Sequence, residues 1–223
     1  MLITDLAATA HAAGGVAGLL TFEPHPLAVL RPETNIQLLT SSEERADLLA
    51  ALGLDFVIFH PFTLETAATP AAEFIKELTD RLAPAELWVG PDFALGKGRE
   101  GNTTRLAELG REMGFVVRVA PLYEWRGEQV RSSRVRSLLA EQGAVEQAAD
   151  LLGRPYRVWG EVVEGARRGR TLGFPTANLR LPTERLVPAY GVYACRAWRG
   201  ARGYPAVVNV GVRPSFDNGH PSV

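Results

Sequence analysis

Cysteine occurs once in the 223 residues, at Cys195. That excludes an internal disulfide framework and a cysteine-rich zinc site. Lysine is nearly absent, with 2 against 22 arginines. No apolar run approaches the roughly 18 residues that a membrane-spanning helix needs. No basic stretch precedes an apolar one near the start, where Asp5 already stands. Neither a membrane span nor a signal peptide is therefore expected, and the expected location is the cytoplasm. Internal repeats and low-complexity linkers are also missing, which argues against solenoid or disordered architectures.

The rest of the composition is that of a globular protein. It is 46% hydrophobic and 22% charged, with a mean hydropathy of -0.01. One large or two small domains fit that length. The net charge of -1 conceals an asymmetry. Residues 151–223 hold 11 arginines and 4 acids, about +7, whereas residues 1–150 sum to about -8. A basic half suits an anionic partner, either a phosphorylated ligand or nucleic acid. It equally suits a solvated arginine-rich surface.

Over the first ~150 residues strand and helix patterns alternate. Buried strands are expected at 16–21, 55–60, 86–90 and 115–120. Helices are expected at 42–52, 70–82, 103–113, 133–141 and 144–152. Ser41 or Ser42 caps the first of these, and Thr69 caps the second with Pro70 in its first turn. This order predicts a parallel α/β sheet with right-handed crossovers. After Gly153-Arg154-Pro155 the pattern changes. Stretches 156–163, 191–198 and 204–210 are strand-like and punctuated by Gly and Pro, so a small all-β domain, a barrel, is expected there. The expected domains are 1–152 and 153–223.

Three segments carry candidate chemistry. The densest runs from Gly165 through Gly169 and Gly173 to Asn178, with three arginines between. Glycines let backbone N–H groups approach phosphate oxygens, and arginines add charge. Thr176 and Asn178 stand two apart and share a side in extended backbone, offering hard oxygens for Mg²⁺. A glycine-rich hairpin explains the same residues without a ligand. The second segment, Arg131-Ser132-Ser133-Arg134-Val135-Arg136, opens a helix, where hydroxyls cap it or free N–H groups take an anion. The third, Thr21-Phe22-Glu23-Pro24-His25-Pro26, follows a strand, and ligands bind at such carboxyl ends. A lone histidine there is more often structural.

These segments together resemble the bifunctional prokaryotic riboflavin kinase/FMN adenylyltransferase (FAD synthetase) family. Gly169-Arg170-Thr171-Leu172-Gly173-Phe174-Pro175-Thr176-Ala177-Asn178 is similar to the riboflavin kinase signature, and Asn209 to Phe216 follows in the family's order. Arg131 to Arg136 resembles the Ile-Ser-Ser-Thr-x-Ile-Arg motif of nucleotidyltransferases, with Arg131 in place of its first serine. Thr21 to Pro26, Pro61-Phe62 and Val89 to Arg99 resemble further blocks of the adenylyltransferase module. The resemblance implies a Rossmann-like nucleotidyltransferase domain followed by a riboflavin kinase barrel. It implies ATP phosphorylation of riboflavin to FMN, then adenylylation of FMN to FAD. By carry-over, nucleotide falls to Ser132, Ser133, Arg134, Arg136, Gly165, Gly169, Gly173, Thr176 and Asn178. Metal falls to Thr176 and Asn178, and flavin to Phe22, Pro24, His25, Phe62, Asp92 and Phe93. The implied ligands are ATP, Mg²⁺ and riboflavin, FMN or FAD, with no nucleic-acid or membrane partner.

Two family elements are not in the sequence. The histidines at 11, 25, 60 and 220 cannot form a His-x-Gly-His motif, which stabilises phosphate charge in the family. No kinase glutamate follows the Arg213-Pro214-Ser215-Phe216 segment. The resemblance therefore implies domains incomplete at both ends, the first strand and the closing barrel strands among the losses, with no catalytic residue present. Weak or no turnover is expected, or else a non-catalytic flavin- or nucleotide-binding module.

Overall fold

The computed structural model describes residues 2–164 and 176–211. They form two compact units, one from residues 1–36 and 40–124, the other from 37–39 and 125–223.

The first unit opens with α1 (Leu2–Ala12), a helix that the sequence patterns do not announce. Strand β1 (Gly18–Glu23), helix α2 (Pro26–Leu30) and helix α3 (Ser42–Ala50) follow. Ser41 is the cap of α3, in a reciprocal box. Its hydroxyl accepts from Glu44 N at 3.1 Å, while Ser41 N donates to the Glu44 carboxylate at 3.0 Å. Strand β2 (Phe56–Pro61) pairs with β1 in parallel, Gly18 opposite Phe56 and Glu23 opposite Pro61. The ladder starts two residues later than expected because Ala17 is taken up by Asp55. Ala17 N donates to the Asp55 carboxylate at 2.7 Å, and Ala17 O accepts from Asp55 N at 2.8 Å.

Helix α4 (Leu64–Ala68) was not foreseen and displaces the expected start of the next helix. The Thr69 hydroxyl is spent on α4, donating to Glu65 O at 3.1 Å. Pro70 therefore takes the cap position of α5 (Ala71–Leu82). Strands β3 (Glu86–Val89), β4 (Ala94–Leu95) and β5 (Gly101–Asn102) precede α6 (Thr103–Met113). Asn102 caps α6 through its side-chain oxygen, 3.0 Å from Arg105 N, and Gly114 at φ 85 ends it. Strand β6 (Val116–Val119) then pairs in parallel with β3. Glu86 locks that pair. Its carboxylate accepts from Arg118 at 2.8 Å and from Trp88 Nε1 at 2.8 Å, which holds it below the usual carboxylate range.

The core of this unit joins Ile75 of α5, Leu106 and Leu109 of α6, Val89 of β3 and Phe115. Its strands are less buried than parallel strands usually are: Leu19 and Leu20 are half-buried and Phe56 is 39% exposed. Among the described residues β1 and β3 each pair on one side only.

The short pair β7 (Glu124–Trp125) and β8 (Glu128–Gln129) leads into the second unit. Helices α7 (Ser132–Ala140) and α8 (Val145–Leu152) follow. Strand β9 (Glu161–Val163) pairs antiparallel with β10 (Asn178–Arg180), and β11 (Gly191–Arg199) pairs antiparallel with β12 (Arg202–Val210). The expected strand at 156–163 is thus confined to its last three residues. The ladders β9–β10 and β11–β12 are not joined among the described residues. The core gathers Val135, Leu138 and Leu139 of α7, Ala148 of α8 and Leu186, with Leu39 and Tyr156 packed on it. Mixed helix and parallel strand in the first unit, and β-rich structure after α8, agree with the expected fold class.

Candidate functional site

In the first unit the candidate groups sit where β1, β2 and β3 end. Phe22 and Phe62 meet edge to face, with ring centroids 5.1 Å apart. His60 and Phe74 complete the cluster, at 5.7 and 5.9 Å from Phe22 and 5.4 Å from each other. Edge-to-face packing presents positive ring edges to negative faces and fixes the rings against each other. A backbone bond from Phe62 N to Glu23 O (3.0 Å) ties the two loops together. His60 was not singled out from sequence; its place in the last part of β2, one strand over from Phe22, was the available signal. Arg45 was missed too, and reaches from α3 to the Thr21 hydroxyl at 3.1 Å.

Pro24 lies exposed, and the Glu23–Pro24 peptide is cis. His25 caps α2, its Nδ1 accepting from Leu27 N at 3.2 Å. Asp92 and Phe93 lie in the exposed turn after β3, where Asp92 O accepts from Arg99 Nη2 at 3.0 Å. Phe22 thus lies near the end of β1, and the other five candidates occupy the loops after β1, β2 and β3. Among the six, Phe22 and Phe62 are in ring contact with one another.

The second unit holds the other candidates. At the start of α7 the cap residue is Arg131, whose side chain makes no capping hydrogen bond. Ser132 and Ser133 are exposed in that first turn. Of the two readings of this segment, hydroxyl capping is not realised. A helix start without a side-chain cap retains partial positive charge and donors for an anion. Arg134 stands 3.7 Å from Glu128 on the wall of a cavity of about 170 Å³. Trp125, Arg126, Leu138, Gln147, Asp150 and Leu151 complete its lining. Trp125 and Arg126, stacked at 5.6 Å, were not named from sequence.

Arg136 is half-buried, and its Nε donates to Gln37 O at 2.8 Å. Burial pulls its guanidinium below the usual value, and Tyr156 partly offsets this. Thr176 is exposed, and Asn178 opens β10 opposite Val163. Gly165, Gly169 and Gly173 lie outside the described residues. No group of three or more acidic, histidine or cysteine side chains that could hold a metal occurs among the described residues. No helix there is long and apolar enough to cross a membrane.

The first unit is thus a parallel α/β arrangement with aromatic groups at its strand ends, and the chain after α8 is β-rich. The FAD synthetase family matches residues 1–134, and the riboflavin kinase family matches residues 152–223. The chain belongs to the FAD synthetase family. It is 37% identical over 199 residues to the bifunctional riboflavin kinase/FMN adenylyltransferase of Escherichia coli K12, covering 88% of this chain and 63% of that protein. The protein of the same description from Bacillus subtilis is 34% identical over 205 residues, covering 91% and 64%. The chain therefore spans somewhat under two thirds of these relatives' length. A crystal structure described as a macrolide-efflux protein from Streptococcus pneumoniae superposes with a TM-score of 0.88 at 27% identity. It covers 99% of this chain and 72% of that one.

Proposed function

We propose that the protein takes part in FAD biosynthesis, phosphorylating riboflavin to FMN with ATP and adenylylating FMN to FAD. The observation that carries this reading is the order of two family matches in one chain, FAD synthetase and then riboflavin kinase. The division is proposed at residues 152 and 153, by function rather than by contact. The cytoplasm, where ATP is abundant, is the proposed location, and small molecules are the proposed partners.

In both reactions the protein's task is to position phosphates and stabilise their charge. Phe22 and Phe62 offer apolar rings fixed against each other to a flavin ring system, with Pro24, His25, Asp92 and Phe93 on the neighbouring loops. Ser132, Ser133 and Arg134 supply backbone and side-chain donors for nucleotide phosphates, supported by Arg136 on the same helix. Gly165, Gly169 and Gly173 are proposed to bring backbone N–H groups to the kinase nucleotide. Thr176 and Asn178 carry neutral hard oxygens, which fit Mg²⁺ when phosphate oxygens supply the negative charge. When bound, Mg²⁺ would neutralise charge on the transferring phosphate.

A second reading is favoured by one observation. No two histidines have His-x-Gly-His spacing, so the proposed groups bind and orient ligands without the imidazole pair that stabilises phosphate charge in the family. The chain would then be a flavin- and nucleotide-binding module with weak turnover. Titration with riboflavin, and separately with ATP and Mg²⁺, tests both readings, followed by chromatography of flavins from the full mixture. Saturable binding of both ligands is expected. FMN and FAD formation supports the first reading, and binding without products the second. Failure to bind either ligand would sink both.

A further inference from the structure

The segment 37–39 is built into the second unit although its chain neighbours on both sides belong to the first. It is held by a single β-bridge. Leu38 N donates to Glu184 O at 2.7 Å, and Leu186 N donates back to Leu38 O at 3.0 Å. Leu38 and Arg185 form the corresponding parallel bridge. Gln37 Nε2 adds a bond to Thr183 O at 3.4 Å. Leu39 packs on the core formed by α7, α8 and Leu186. From the other side, α7 reaches this strap through one polar group, Arg136 Nε on Gln37 O.

We infer that Arg136 is a positioning residue: it clasps the strap 37–39 to α7 and so fixes the helix whose first turn carries Ser132 and Ser133. The geometry supports this in three ways. The donor used is Nε, which lies at the base of the guanidinium and binds only close partners. The acceptor is a backbone carbonyl, whose place is set by the Leu38 bonds on the following residue. The side chain is half-buried, where an unmatched donor or acceptor costs more than at the surface. The strap in turn meets Thr183 to Leu186, and Leu139 O of α7 accepts from Ala189 N at 2.8 Å. Three chain regions far apart in sequence therefore close on one another around Arg136.

That the clasped helix start takes phosphate rests on the proposed function; the clasp itself does not. Hydrogen exchange at the Leu38 and Leu186 amides tests it in the full chain without any nucleotide. Arg136→Gln should speed exchange at both amides about tenfold, as expected when one supporting hydrogen bond is lost. Arg136→Lys should restore part of the protection. Amides of Leu106 and Leu109 in the first unit should not change. A rise in the ATP Kd should accompany the loss at Leu38. Unchanged Leu38 and Leu186 exchange in both variants would overturn the clasp, and with a raised ATP Kd would make Arg136 a direct phosphate ligand instead. If Arg136→Gln fails to fold, Arg136→Lys and the wild-type amides decide: low protection at Leu38 in the wild type also overturns the proposal.

Discussion

The two units are held together in different ways. The core of the first comes from one stretch of chain, residues 75–115, in which helix and strand alternate. The core of the second joins Leu39, α7, α8, Tyr156 and Leu186. Its long hairpin β11–β12 leaves Val192 70% and Val207 75% exposed. A core built from neighbours in sequence is signalled by local periodicity. A core built from segments nearly 150 positions apart is not, and its closure costs more chain entropy before it gains contacts.

The largest effects should separate the units. Leu106→Ala and Leu186→Ala each remove a side chain that is at most 2% exposed. Each should cost about 2–5 kcal/mol. Denaturant-dependent hydrogen exchange should place the loss of Leu106→Ala in the first unit and that of Leu186→Ala in the second. Equal loosening of both units by either change would break the comparison.

Ligand binding sharpens it at a smaller scale. Asn178→Ala should weaken Mg²⁺-dependent ATP binding about tenfold while sparing the aromatic cluster of the first unit. Phe62→Ala should weaken FMN binding by about the same factor, through loss of the ring contact with Phe22. Calorimetric titrations on each variant check the split, and identical losses of both ligands in both variants would refute it.

Ser41→Ala removes a reciprocal cap and should cost about 1 kcal/mol, read as a shift in the urea midpoint of the first unit. The smallest effect concerns Asp55. The Ala17 N–H and then His11, 2.9 Å away, hold its carboxyl below the usual carboxylate range. A depressed carboxylate contributes stability above its unfolded value and loses it as pH falls through the folded one. The stability gap between wild type and Asp55→Asn should thus be present at neutral pH and narrow below about pH 4. A gap that persists unchanged at pH 3 would show that the charge at Asp55 is immaterial.

Much of this protein was legible before the structure. Helix α6 has the predicted bounds because Asn102 and Gly114 are strong start and stop signals, respectively. The parallel strands were visible as short apolar runs between turns. The motif resemblance and the family matches agree, since both read side-chain identity in order. Helix α1 was missed because its alanine-rich stretch carries a weak apolar period. The start of α5 shifted because Thr69 had two helices to serve, and sequence alone does not rank them.

The sequence by itself determined which candidate groups the chain carries: the glycine–arginine run, the Ser132-Ser133 helix start and the strand-end aromatics. Tertiary structure decided which of these groups meet. It brought His60 and Phe74 to Phe22, left the first turn of α7 without a side-chain cap, and engaged Arg136 with Gln37 O across 99 positions. Spacing along a chain encodes local geometry, whereas the partner of a buried donor depends on which distant carbonyl the folded backbone brings within 3 Å.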